Sequence, residues 1–212
     1  MLKAVIFDMD GTMIDSEIQH FYAYQKVLLA FGIDFQLDDY SNYFGVLDRD
    51  ICAYLVKKYN ISTDLSNLME LKNQLFKSEF ITKALPRPGL FSLLKKLKKD
   101  RYLMAVASSS HIDEIIYVLN NLHIESFFNV VVSADNVKNG KPDPDIFLLA
   151  AKKLKVSPSD CLVLEDAPKG VLAAKSANMK CYAVPSKEVK NQDFSKADKV
   201  LNSLGEVYSF LK

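Results

Sequence analysis

The sequence predicts an α/β fold: a doubly wound parallel sheet, Rossmann-like, with an inserted all-helical cap domain. Three observations predict it. Short uninterrupted apolar runs, beginning with Ala4 to Phe7, have the character of strands buried on both faces. Beyond residue 83 such runs alternate with helical patterns, as parallel sheets require. Residues 16 to 82, by contrast, contain helical patterns and no buried-strand run. At 212 residues the chain is long enough for a core domain plus a smaller insert.

Ala4 to Phe7 leads directly into Asp8-Met9-Asp10-Gly11-Thr12. Side chains alternate along a strand, so positions 8 and 10 point the same way while Met9 packs elsewhere, and Gly11 lets the backbone turn. Two acids held close need a cation or a shared proton, and an oxygen-seeking divalent ion such as Mg²⁺ is the natural partner. A helix follows, capped by Asp15 or by Ser16, the latter in a capping-box sequence with Gln19. Its apolar stripe is Ile18, Phe21, Tyr22, Leu28 and Leu29, running up to Gly32. Further helical patterns involve Ile51, Tyr54 and Leu55, then Leu68, Leu71, Leu75 and Phe76. The expected division is a core of residues 1–15 and 83–212 and a helical domain of residues 16–82.

At Pro86-Arg87-Pro88-Gly89 the character changes. Leu90, Leu93, Leu94 and Leu97 predict a helix ending in a lysine-rich turn. Strands are expected at Tyr102 to Ala107, Asn129 to Ser133, Cys161 to Leu164 and Cys181 to Val184, separated by helices near 111–121 and opening at Pro144 and Pro168. In such a sheet ligands bind beyond the C-terminal strand ends. The residues just after each run are therefore the candidates: Asp8 and Asp10, then Ser108, Ser109 and Ser110, then Lys141, then Glu165 and Asp166.

Carboxylates, hydroxyls and a lysine suit phosphoryl transfer, which asks the protein mainly for positioning and charge neutralisation. One carboxylate attacks phosphorus, and a second acid two residues on protonates the leaving oxygen and later deprotonates water. The second acidic pair would hold the metal, while a serine hydroxyl, adjacent amides and a lysine ammonium bind the remaining oxygens.

The Asp8-Met9-Asp10-Gly11-Thr12 stretch, Ser108, Lys141 within Gly140-Lys141-Pro142-Asp143-Pro144, and Glu165-Asp166 resemble, in order and spacing, the signatures of the haloacid dehalogenase-like superfamily. The likeness is to the branch with a helical cap after the first signature, which holds β-phosphoglucomutases and small phosphatases of sugar phosphates. It implies Asp8 as nucleophile, Asp10 as general acid/base and Ser108, with Ser109 beside it, and Lys141 as phosphate binders. It also implies Mg²⁺ held by Asp8, Asp10 through its carbonyl, and Asp166, with Glu165 assisting directly or through water. In the dehalogenases and P-type pumps the residue two after the nucleophile is not an acid, so Asp10 disfavours dehalogenation; phosphonate cleavage is disfavoured likewise.

Phosphatase and mutase both stay open. His20, Gly45, Arg49 and Lys72 fall roughly where the mutase has cap-side helpers, which makes His20, Arg49 and Lys72 candidate substrate contacts from the cap. Against the mutase, His111 and Ile112 follow the serines where the mutase has basic and amide side chains, and a site for a bisphosphate needs a second cationic clamp. A non-catalytic phosphoacceptor module is a third, minor reading, since such a module needs neither Asp10 nor the insert.

Composition excludes less. Lys and Arg number 27 against 26 Asp and Glu, a net charge of +1, so no bulk electrostatics favours nucleic acid or membrane. Cys52, Cys161 and Cys181 are widely spaced and suit buried free thiols in a reducing compartment. With no signal peptide or apolar run of about 20 residues visible, the expectation is a cytoplasmic monomer acting on a small phosphorylated molecule.

Overall fold

A computed structural model of the chain describes residues 2–40, 43, 48–80, 83, 85–186 and 189–211. The strands are β1 (Ala4–Phe7), β2 (Ile14–Asp15), β3 (Leu85–Pro86), β4 (Leu103–Ala107), β5 (Val130–Val132), β6 (Cys161–Glu165), β7 (Lys180–Ala183) and β8 (Lys199–Val200). Six of them form one parallel sheet in the order β5-β4-β1-β6-β7-β8. Ala4 to Phe7 are fully buried, as an uninterrupted apolar run dictates for the middle of such a sheet. Ile6 lies opposite Ala105 on one side and Val163 on the other. The chain moves outward from β1 to β4 and β5, then returns to β6 on the other side, so the strand order reverses at β1. A ligand crevice is expected at that point.

Helices α5 (Leu90–Lys99), α6 (Ile112–Asn121), α7 (Asp145–Leu154), α8 (Pro168–Ser176) and the short α9 (Leu204–Val207) flank this sheet. α7 packs on β1, β4 and β5, and α8 on β6 and β7. The α5 stripe is the one expected: Leu90, Leu93, Leu94 and Leu97 are all buried. β8, α9 and the antiparallel pair of β2 with β3 carry no sequence signal, being only two to four residues long.

By its contacts the chain divides into two compact units, Met1–Asp15 with Leu85–Lys212, and Ser16–Ala84. The second unit contains α1 (Glu17–Ala30), α2 (Leu37–Tyr40), α3 (Asp48–Tyr59) and α4 (Leu65–Leu75), the last continuing into a π-helical turn at Phe76–Phe80. No strand occurs among its described residues. Its core centres on aromatic packing of Phe21, Phe35, Tyr24 and Tyr40.

Two details of α1 correct the sequence expectation. Tyr22 and Leu29 are exposed, whereas Tyr24 and Val27 are buried with Phe21 and Leu28, so the packed stripe is rotated from the expected one. Tyr54 and Leu71 face solvent on α3 and α4, where Ile51, Cys52 and Leu55, and Leu68 and Lys72, are the buried residues. Ser16 stands at the N-cap but its side chain makes no capping bond, because its ψ of −9° is not the extended backbone that aims a hydroxyl at the first turn. Gln19 instead reaches the Lys83 carbonyl at 3.4 Å. Asp64 does cap α4, with ψ 167° and a 2.9 Å bond from Asn67 N–H.

Candidate active site

β1 ends at Phe7, so both acids of the opening motif lie just beyond the strand rather than in it. Asp8 still donates its N–H to Leu164 O at 3.0 Å, which holds it against β6. The chain then folds back on itself: Met13 and Ile14 both donate to Met9 O, and Gly11 donates to Ile14 O. Gly11 has φ +75°, which suits glycine, and a Cβ there would sit 2.0 Å from Asp166 Oδ2. This turn brings the first motif against the last one.

At the sheet ends, Glu165 as the last residue of β6 and Asp8 and Asp166 just beyond their strands form a buried cluster in which one carboxylate oxygen from each lies within 4.8 Å of the others. Lys141 enters it from the loop after β5. Its Nζ donates to Asp8 Oδ1 and to Glu165 Oε1, the latter at 2.7 Å, lies 3.5 Å from Ala107 O, and sits over the Phe147 ring. The other Glu165 oxygen, Oε2, accepts from the N–H groups of Asp166 and Ala167 at 2.9 and 3.0 Å. A Cβ on Gly170 would fall 1.7 Å from Glu165 Oε1, so the first turn of α8 can pass this carboxylate only because residue 170 has no side chain. Thr12 Oγ1 donates to Asp166 Oδ1 at 3.2 Å.

Three carboxylates and one ammonium leave a surplus of negative charge in a buried place. Burial pushes the Asp8 carboxyl up to about 8; Lys141 opposes the rise, while Glu165 and Asp10 add to it. Burial works against the Lys141 charge, but Asp8 and Glu165 override it and hold the ammonium protonated. An all-oxygen donor set that carries about two surplus negative charges once the Asp8 proton is displaced fits a hard divalent cation such as Mg²⁺.

Asp10 stands apart from that cluster. It is partly exposed, and its Oδ2 accepts from Ser110 Oγ at 2.7 Å. Ser108 is buried; its N–H pairs with Val132 O and its Oγ accepts from Ser110 N–H at 3.0 Å. Ser109 is exposed. Ser110, read only as part of the serine run, thus ties the second strand end to the first, and neither it nor Thr12 stood out as a supporting residue because serine and threonine after a strand look like turn residues. His111 does not cap α6 with its side chain; Asp135 does so, accepting Ile112 N–H at 3.0 Å and meeting His111 Nδ1 at 2.8 Å.

Within the helical unit, Lys72 is fully buried and its Nζ donates to Asp48 Oδ2 and lies 2.9 Å from His20 Nδ1. The His20 ring stacks on Phe76, centroids 4.0 Å apart and 2° from parallel. Arg49 is not part of this group: its side chain is largely exposed and lies 3.5 Å from Asp50. Gly45 falls outside the described residues.

Known proteins match over most of this length. A phosphorylated carbohydrates phosphatase of Thermotoga maritima is 36% identical over 178 residues, covering 84% of this chain and 82% of that protein. A beta-phosphoglucomutase of Bacillus subtilis is 36% identical over 186 residues, covering 84% and 81%. Among solved structures, CbbY from Rhodobacter sphaeroides in complex with phosphate superposes with a TM-score of 0.87 at 25% identity, over 98% of this chain and 96% of that one. The profile of the haloacid dehalogenase-like hydrolases spans residues 5–184, from inside β1 to just past β7. With that span, and with the strand-end acids, serine and lysine in the family's order, the chain belongs to the haloacid dehalogenase-like hydrolase family.

Proposed function

We propose that this protein is a Mg²⁺-dependent phosphatase of small phosphomonoesters, sugar phosphates above all, working through an aspartyl-phosphate. Asp8 Oδ attacks phosphorus and the ester P–O bond breaks, with Asp10 giving its proton to the leaving alcohol oxygen. Asp10 then takes a proton from water, whose oxygen attacks phosphorus and releases inorganic phosphate and the Asp8 carboxylate. Ser108, the Ser109 amide and Lys141 hold the phosphoryl oxygens. Mg²⁺ would be held by Asp8, Asp166 and the Asp10 carbonyl, and when bound supplies charge neutralisation on the phosphoryl oxygens. Because both Glu165 oxygens are engaged by Lys141 and backbone amides, its part is to hold Lys141 and the turn into α8, meeting the ion at most through water.

The observation that carries this reading is the separation of the two acids of the first motif. Asp8 belongs to the buried cluster with Lys141, and Asp10 is held by Ser110 in a wetter place. Two carboxylates in different environments are what a nucleophile and a proton carrier require. The names of the relatives support the substrate class, since one acts on phosphorylated carbohydrates. Residues 16–84 would then serve as the cap that excludes bulk water, with His20 and Lys72 as the candidate substrate contacts that the resemblance implies. Three buried free cysteines accord with a cytoplasmic setting, and a monomer suffices for the chemistry.

A phosphate-release assay over sugar phosphates, polyol phosphates and nucleotides with added Mg²⁺ tests this. Release from at least one sugar phosphate is expected, with Asp8→Asn lowering it by about three orders of magnitude or more. Wild-type turnover by Asp8→Asn would refute the covalent route. The mutase named among the relatives is the second reading; given β-glucose 1-phosphate and a trace of bisphosphate, predominant glucose 6-phosphate over free phosphate would favour it.

A further inference from the structure

On the phosphatase reading above, we propose that Ser110 is the positioning residue of the proton carrier: its hydroxyl fixes the Asp10 carboxylate for transfer to the leaving oxygen and binds no phosphoryl oxygen itself. The first and third hydroxyls of the serine run after β4 have different partners. Ser108 is buried, and its Oγ accepts from Ser110 N–H at 3.0 Å. A hydroxyl that accepts there still has its own O–H to donate, which suits a phosphoryl oxygen. Ser110 has only one O–H as well, and it goes to Asp10 Oδ2 at 2.7 Å.

The backbones on both sides of this bond are pinned. Ser110 gives its N–H to Ser108 Oγ, and its carbonyl accepts Ala134 N–H at 3.4 Å just after β5. With the backbone held, so short a side chain has little freedom left to lose. Asp10 pairs with Ile14 across the turn at Gly11. Its carboxylate is half-buried at the edge of the site, where ordering its torsions costs entropy. The bond from Ser110, as short as charge-assisted hydroxyl–carboxylate bonds are, offsets that cost.

Such positioning matters most when the leaving oxygen is strongly basic. As the Asp8 Oδ–P bond forms and the ester P–O bond breaks, a sugar oxygen must take a proton from Asp10, and a misplaced carboxyl slows that step. p-Nitrophenolate is stable as an anion and leaves without the proton. A serine that bound phosphoryl oxygen would serve both substrates alike.

The test compares kcat/KM, which reports the steps up to loss of the leaving group, for the sugar phosphate hydrolysed fastest and for p-nitrophenyl phosphate. Ser110→Ala should lower the sugar phosphate value about tenfold or more and the p-nitrophenyl value by less than about twofold. Ser110→Thr, which keeps the hydroxyl, should restore the wild-type ratio of the two. In an Asp10→Asn background Ser110→Ala should not change the ratio further, because its effect runs through Asp10. Equal loss on both substrates, no loss on either, a Ser110→Thr that behaves as Ser110→Ala, or a further change of the ratio in the Asp10→Asn background would each overturn the proposal. So would loss of the cooperative thermal transition in Ser110→Ala, which would make the bond a structural one. Any of these results with an active wild-type protein sinks this proposal alone. A wild-type protein that releases phosphate from neither substrate class takes the phosphatase reading down with it.

Discussion

Two glycines and one aspartate set the terms of this site. Gly11 lets the loop after β1 press against Asp166, and Gly170 lets α8 pass over Glu165. Gly170→Ala should push Glu165 away from Lys141, lowering stability by at least about 2 kcal/mol and weakening phosphate retention, measured by urea unfolding and by the KM of the variant. Gly11→Ala carries the added strain of a positive φ and should lose Mg²⁺ binding as well as stability, read from the thermal shift on adding MgCl₂. Asp8 makes the metal-free protein pH-dependent. Its folded value of about 8 lies above the unfolded 3.8. The native state therefore keeps a proton that the unfolded chain gives up, and the stability this contributes is full below 3.8 and lost as pH rises through 8. Without metal, the melting temperature should fall between pH 6 and 8.5. Mg²⁺ should bind more tightly over the same range, releasing a proton that calorimetry in two buffers of different ionisation enthalpy would count. An affinity independent of pH would rule out proton competition at Asp8.

At the scale of elements, the sequence reads well where one face is plainly apolar and badly where it is not. α5 has four leucines on one side and lysines on the other, and all four leucines are buried. Leu94→Ala should cost about 2–5 kcal/mol in urea unfolding, with the strand-end carboxylates untouched. α1 is different: apolar and aromatic residues surround it, so its local pattern does not show whether Tyr22 or Tyr24 is packed, and the answer comes from Phe35 and Tyr40 across the unit. The capping-box sequence at Ser16 fails for a related reason, since the backbone there is turned by its surroundings before the side chain can choose. Asp64 shows the rule working where the chain is free to extend.

At the scale of the whole chain, the insert leaves and returns through one antiparallel pair, with Asp15 opposite Leu85 and Ile14 opposite Pro86. Joining Asp15 to Leu85 by an Asn-Gly turn should therefore leave a folded sheet domain with a cooperative thermal transition, which MgCl₂ raises if the strand-end carboxylates hold the proposed cation. An aggregated product with no such transition would show that the core depends on the insert. Among the described residues no helix is long and apolar enough to cross a membrane.

The sequence alone determined the sheet, the insert and the identity of the strand-end residues, because strands buried on both faces are written as unbroken apolar runs and whatever follows them is delivered to one edge. Tertiary structure alone decided the pairings: Lys141 between Asp8, 133 residues away, and Glu165; Ser110 on Asp10, 100 residues away; Asp48 and His20 on Lys72. Such contacts join positions far apart in the chain, and local periodicity, which reports only which way a side chain faces, holds no record of what it meets.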